Sequence, residues 1–135
     1  MTFPPIAKRL LIVDDNADAG ESLALLLRLD GREVLTATSG EAALQKVATY
    51  RPDVMLLDLG MPRMSGYDLA ERVRARPELR AAMLVAVSGH GLPRDRLRSR
   101  AAGFHAHLLK PVSPAEVAAL VAAAPRTAQP PSAAD

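Results

Sequence analysis

At 135 residues, 49% of them apolar, the chain has the size and composition of one domain with a single core. It has no cysteine, which excludes disulfides and thiolate metal centres, and its aromatic content of 3% is too low for a base-stacking surface that holds single-stranded nucleic acid. A net charge of +2, from 17 basic and 15 acidic residues, exerts little overall pull towards an anionic partner; no run is long enough to cross a bilayer and Met1 to Pro5 lack the plan of a signal peptide, so a cytoplasmic location with no membrane partner and no direct nucleic-acid binding is expected.

Residues 1–7 read as a leader. Lys8 and Arg9 open the apolar run Leu10 to Val13, a buried-strand candidate that ends on Asp14-Asp15. Helical spacing follows from Asp18 to Leu29, with Ala19, Leu23, Leu26 and Leu27 as the apolar stripe, Asn16 as N-cap and Gly31 suited to the left-handed residue that closes the helix. Glu33 to Ala37 mixes polar and apolar residues, as an edge strand does. Ser39 caps a second helix whose stripe is Ala43, Leu44, Val47 and Ala48, and Arg51-Pro52 ends it. Val54 to Leu57 is apolar throughout, which suits a strand covered on both faces; it ends on Asp58, and Gly60 and Pro62 forbid simple continuation. Ser65 and Asp68 have capping-box spacing ahead of a third helix with Leu69, Ala70 and Val73 on one face, stopped by Arg76-Pro77. A fourth apolar run, Ala82 to Val87, ends on Ser88-Gly89. A basic helix from about Pro93 to Ala102 is closed by Gly103, and Ala106 to Leu109 ends on Lys110-Pro111. Ser113, Pro114 and Glu116 start a fifth helix, with Val117, Leu120 and Val121 towards the core. The folded domain should thus span 8–124, and 125–135, rich in Pro, Ala and Ser, should be a disordered tail. Five strands alternating with five helices imply an α/β sheet of parallel strands with helices on both faces.

Taken singly, the polar strand ends have plain readings: Asp14-Asp15 as a helix-capping turn, Asp58 as a solvated loop carboxylate, Ser88 as a turn residue before Gly89, Lys110 as a snorkelling cation. Together they make a site, because ligands of an open parallel sheet bind beyond the carboxyl ends of its strands. Three carboxylates there repel one another, at about 4 kcal/mol per pair for a 4 Å separation and an effective dielectric near 20. Lys110 offsets only part of that. A divalent cation is the natural remedy, and an all-oxygen donor set favours magnesium, with manganese as a substitute, over zinc. A phosphoryl group could then sit beside Asp58, with Ser88 and Lys110 on its oxygens.

The stretches Val13-Asp14-Asp15-Asn16, Leu57 to Pro62, Met64-Ser65-Gly66, Val87-Ser88-Gly89, Ala102-Gly103 and Leu109-Lys110-Pro111 occur in the order found in receiver domains of two-component response regulators, and the chain resembles that family over roughly residues 8–124. The resemblance implies a flavodoxin-like (βα)5 sandwich with strand order 2-1-3-4-5. It implies Asp58 as the phosphoacceptor for a sensor histidine kinase or a histidine phosphotransfer protein. It further implies Asp15 as a direct magnesium ligand, Asp14 as one acting through water, the Gly60 carbonyl as a third protein ligand, Lys110 as the phosphate-binding lysine, Ser88 as the hydroxyl switch residue and a cis Lys110-Pro111 bond. Output would pass through the face made by the fourth helix, fifth strand and fifth helix to another protein, or within a longer chain. The receiver of a hybrid histidine kinase is the alternative. A metal-dependent aspartyl phosphatase is disfavoured because Gly60 stands where such enzymes carry a second carboxylate. Three features depart from the common pattern. Ser88 replaces threonine and lacks its χ1 stiffness; His107, read as a half-exposed residue of the switch face, replaces an aromatic ring; and Gly60 with His90 fill the two positions that tune phosphoryl loss. Asp53 and Asp68 read as structural, His105 as having no special role, and Arg94, Arg96, Arg98 and Arg100 as a solvated face with a second reading as a dock for an acidic partner.

Overall fold

A computed structural model of the chain describes residues 8–89 and 93–124; the expected leader, the expected tail and His90 lie outside the described residues. The strands are β1 (Arg9–Val13), β2 (Glu33–Ala37), β3 (Val54–Asp58), β4 (Met83–Ser88) and β5 (Ala106–Leu109), and the helices α1 (Ala17–Leu29), α2 (Gly40–Tyr50), α3 (Gly66–Arg74), α4 (Pro93–Ala101) and α5 (Pro114–Ala123). Every strand pairing is parallel and the order is β2-β1-β3-β4-β5. This is the flavodoxin-like arrangement. β3 lies at the centre, buried at all five positions, which is why its sequence shows no polar alternation before Asp58.

The two-residue period of the strands divides the core. Leu11, Val13, Met55, Leu57, Leu84 and Ala86 face one side and pack with Ala43 and Val47 of α2 and Leu69 and Val73 of α3. Their neighbours Leu10, Ile12, Val54, Leu56, Val85 and Val87 face the other and pack with Ala24 and Leu27 of α1 and Val117 and Val121 of α5.

α1 buries a different stripe from the one its leucines suggest. Gly20, Ala24 and Leu27 are buried, whereas Ala19 is exposed and Leu26 is 50% exposed. The helix comes close to β1 through its small residues: a Cβ on Gly20 would lie 3.9 Å from Ile12 Cγ2 and 3.8 Å from Asp14 Cβ. In α2, likewise, Ala48 is exposed and Gly40 joins Ala43 and Val47 inside.

Caps fall where the sequence places them. Asn16 accepts from Ala19 N–H, Ser39 from Ala42 N–H and Ser113 from Ala115 N–H, and Ser65 with Asp68 forms a complete capping box. Three features were not legible. α2 ends on Arg51 at φ 50°, a left-handed residue that is not glycine. A short 3-10 turn, Pro77–Leu79, follows α3 and buries Leu79. Lys8 Nζ donates to the carbonyls of Val121, Ala122 and Ala124, closing the C-terminal end of α5 with a cation, where the helix dipole favours one.

The turn from β3 into α3 depends on Gly66. A Cβ there would lie 2.7 Å from the Asp58 carbonyl oxygen and 2.9 Å from Leu59 Cα, both backbone atoms that cannot step aside. Gly66→Ala is therefore expected to lower stability by about 1–3 kcal/mol, as overpacking does, read as a reduced urea midpoint by far-UV circular dichroism. Gly40 is a useful contrast: the atoms nearest a Cβ there, Sδ and, at 2.8 Å, Cγ, belong to the flexible side chain of Met64.

Candidate functional site

The sheet delivers its polar strand ends to one edge. Asp58 is the last residue of β3 and is paired with Val87, so Ser88 lies one step further on β4. Backbone hydrogen bonds continue past the strands, from Leu59 N–H to Val87 O at 3.0 Å and from Lys110 N–H to Ser88 O at 2.9 Å. Asp14 follows β1, its N–H held by Ala37 O at 3.0 Å. The expected residues thus meet: Asp14, Asp15 and Asp58 each offer a carboxylate oxygen within 4.8 Å of the others, with Asp15 exposed and the other two buried. Lys110 Nζ donates to Asp58 Oδ2 at 3.0 Å and lies 3.4 Å from Asp14 Oδ2. The Lys110-Pro111 peptide is cis.

Backbone donors hold the carboxylates. Gly60 N–H donates to Asp58 Oδ1 at 2.9 Å, and Asn16 N–H to Asp14 Oδ1 at 2.9 Å. Asp14 therefore does take part in a turn ahead of α1 as well as in the cluster. The two buried acids separate electrostatically. Burial works against the charge of Asp58, but the Gly60 N–H and Lys110 outweigh it and hold the carboxyl below its ordinary range. Burial raises Asp14, assisted by the charge of Asp58 and opposed by Asn16 N–H and Lys110. For Lys110, too, burial opposes the charge, and the two acids overcome it and raise the ammonium above its usual value. Asp58 is thus the acid kept ionised.

His107 is not half-exposed. It is 9% exposed, on the sheet face covered by α4, and both ring nitrogens have partners. Nε2 lies 2.6 Å from Ser88 Oγ, and Nδ1 lies 3.3 Å from Ser99 Oγ of α4. The short strand β5 is roofed by α4, which covers a side chain that composition alone would leave at the surface. Ser99 is a contact that sequence reading missed, since a serine in an arginine-rich helix gives no periodic signal.

His105 also has a structural role. Its Nδ1 accepts from Leu84 N–H at 3.2 Å, while the His105 backbone N–H donates to Leu84 O at 2.7 Å, tying β5 to β4. Burial, with the Arg74 guanidinium nearby, pushes its imidazole below the ordinary 6.5. The unfolded chain therefore takes up the proton first. Stability is full above about pH 6.5 and falls as the pH drops from there towards the lower folded value. His105→Asn should flatten that acid limb, measured as urea midpoints across pH 5 to 7.5. Asp53 is likewise structural, accepting from Arg9 N–H at 2.8 Å and linking the start of β3 to β1. Arg98 lies over the Tyr67 ring at 4.1 Å, so the basic face of α4 is partly used within the fold.

Beside the acidic cluster a cleft of about 480 Å³ separates α1 from the segment after β5, lined by Ala19, Leu23, Leu26, Pro111 and Val112. Among the described residues no helix is long and apolar enough to cross a membrane.

Residues 10–122 match the family model described as the response regulator receiver domain. The transcriptional regulatory protein PrrA of Mycobacterium tuberculosis is 36% identical over 115 residues, 85% of this chain and 48% of PrrA. Among solved structures, a response regulator receiver protein from Pseudomonas putida superposes with a TM-score of 0.79 at 30% identity, over 89% of this chain and 99% of its own. The chemotaxis protein CheY4 of Vibrio cholerae superposes with a TM-score of 0.83 at 26% identity, over 89% and 100%. The chain spans about half the length of PrrA, so what PrrA does as a whole belongs to PrrA. Even so, likeness to a transcriptional regulator withdraws support from the expectation of no nucleic-acid partner.

Proposed function

The chain belongs to the response regulator receiver domain family, and on that premise we propose that it is a phosphoacceptor whose Asp58 takes a phosphoryl group from the phosphohistidine of a sensor kinase or phosphotransfer protein in the cytoplasm. The supporting observation is the convergence of Asp14, Asp15 and Asp58 within 4.8 Å with Lys110 bonded to Asp58. In the transfer, Asp58 Oδ forms a bond to phosphorus as the phosphorus–nitrogen bond of the donor breaks, and the imidazole nitrogen keeps the electron pair. The chain's part is placement and charge. Gly60 N–H fixes one Asp58 oxygen, Lys110 neutralises charge on the incoming oxygens, and the Ser88 hydroxyl donates to one of them.

The donor set suits magnesium: three carboxylates, no sulfur or imidazole among them, and one, Asp15, open to solvent. Asp15, Asp58 and the Gly60 carbonyl would hold the ion directly and Asp14 through water. Its contribution is to offset negative charge where phosphate and carboxylates meet. An apolar cleft between α1 and Pro111-Val112 offers the donor protein a surface beside the reacting group. On the output side, Leu97 at 69% and Leu109 at 42% exposure give the α4-β5-α5 face apolar anchors for a partner.

Treatment with acetyl phosphate and magnesium should add the mass of one phosphoryl group, which peptide mapping after borohydride reduction places on Asp58. Chelation should abolish the gain. A phosphoryl group found elsewhere, or gained equally without the metal, would overturn the assignment.

A further inference from the structure

α4 inverts the usual pattern of a surface helix. Its leucine, Leu97, is 69% exposed, while Ser99 is 2% exposed. A serine buried in a helix needs partners, and Ser99 has two: its hydroxyl donates to Arg96 O at 3.0 Å, and its oxygen lies 3.3 Å from His107 Nδ1. A hydroxyl carries one proton. With that proton on Arg96 O, the Ser99 oxygen can only accept, so Nδ1 must carry a hydrogen. In the neutral ring Nε2 is then a bare lone pair, and the 2.6 Å contact with Ser88 Oγ is a hydrogen bond donated by Ser88.

We infer that Ser99 is a positioning residue for phosphoryl uptake: it holds His107 as the Nδ1–H tautomer and thereby commits the Ser88 hydroxyl proton to His107 until a phosphoryl oxygen competes for it. This rests on the reading of Asp58 as phosphoacceptor and adds a restraint to it. The direction of Ser88's one proton is set by a residue of α4 whose hydroxyl bonds to Arg96 O and His107, not to Asp58 or Lys110. The relay runs Ser88 to His107 to Ser99 to the α4 backbone, so withdrawal of the Ser88 proton is felt by the helix itself.

Without the Ser99 oxygen Nδ1–H loses that acceptor, which favours protonation at Nε2 and donation to Ser88, and so releases the Ser88 proton for the phosphoryl group. Ser99→Ala should therefore bind the phosphoryl mimic beryllium trifluoride, with magnesium, more tightly than the wild-type protein, by about threefold to tenfold, the range of one hydrogen bond. Ser99→Thr keeps the oxygen and should restore wild-type affinity. Imidazole 15N shifts of His107 in the resting protein read the tautomer directly. Nδ1–H is expected in the wild type and in Ser99→Thr, with a shift towards Nε2–H in Ser99→Ala. An Nε2–H tautomer in the wild type, or an unchanged tautomer and affinity in Ser99→Ala, would overturn the inference. The tautomer measurement uses no phosphoryl donor or mimic. A wild-type protein with the Nδ1–H ring that fails to bind the mimic therefore counts against the phosphoacceptor reading and, through it, against any role of Ser99 in uptake; binding with the wrong tautomer counts against Ser99 alone.

Discussion

Asp58→Asn is expected to remove phosphoryl incorporation entirely while leaving the fold standing. The amide has the shape of the carboxylate, and its oxygen can still accept the Gly60 N–H now on Asp58 Oδ1. It is not a nucleophile, so no phosphorus–oxygen bond can form. The effect on stability is a balance of two changes. Lys110 loses its 3.0 Å contact with Asp58 and retains Asp14 at 3.4 Å. Asp14 loses a like charge that helps to raise it. A half-exposed lysine contributes little through one such pair, about 1 kcal/mol or less, and relief of the carboxylate repulsion acts the other way. Because the folded site holds Asp58 ionised, its charge is net favourable there, and the urea midpoint of Asp58→Asn should lie slightly below that of the wild type at pH 7, by far-UV circular dichroism. A phosphoryl-labelled Asp58→Asn protein would remove Asp58 from its role, and a variant that fails to fold would mean that its charge is structural.

The site was largely legible because it breaks local rules in one place. Apolar strands that end on Asp14, Asp58, Ser88 and Lys110 put polar groups where patterning forbids them, and such conflicts mark functional positions. The caps at Asn16, Ser39 and Ser65 were legible for the opposite reason: side-chain oxygens there meet a local backbone need that depends on nothing distant. What depended on tertiary contact was not. The leucines of α1 outweigh Gly20 in any hydrophobic count, yet Gly20, Ala24 and Leu27 are the residues that are buried, and the helix turns Leu25 and Leu26 outward at 56% and 50% exposure. The burial of His107 depends on α4 lying over β5, and the part played by Ser99 depends on the direction of a single proton.

Lys110→Met should both slow phosphoryl uptake and make stability respond to pH in a defined direction. Methionine keeps the length and apolar stem of the side chain and removes only the ammonium. Removing one charge-stabilising donor from a transfer site costs about 10²–10³ in rate, read as the initial rate of incorporation from acetyl phosphate. In the resting protein the loss leaves Asp14 and Asp58 facing each other without their shared cation. In the wild type the folded Asp58 lies below its ordinary carboxyl value of 3.8, so its contribution is present above that value and is lost as the pH falls through the lower, folded one. Without Lys110 that depression shrinks, and repulsion between two ionised acids destabilises the fold at neutral pH. The deficit should be about 1–2 kcal/mol at pH 7, discounted because the lysine side chain is 37% exposed. It should narrow towards pH 4, where protonation of Asp14, the acid raised by burial, removes the repulsion. Urea unfolding at the two pH values separates this from loss of packing: a charge effect gives a deficit that closes on acidification, whereas a deficit of equal size at both would mean that the stem of Lys110, not its ammonium, supports the end of the sheet.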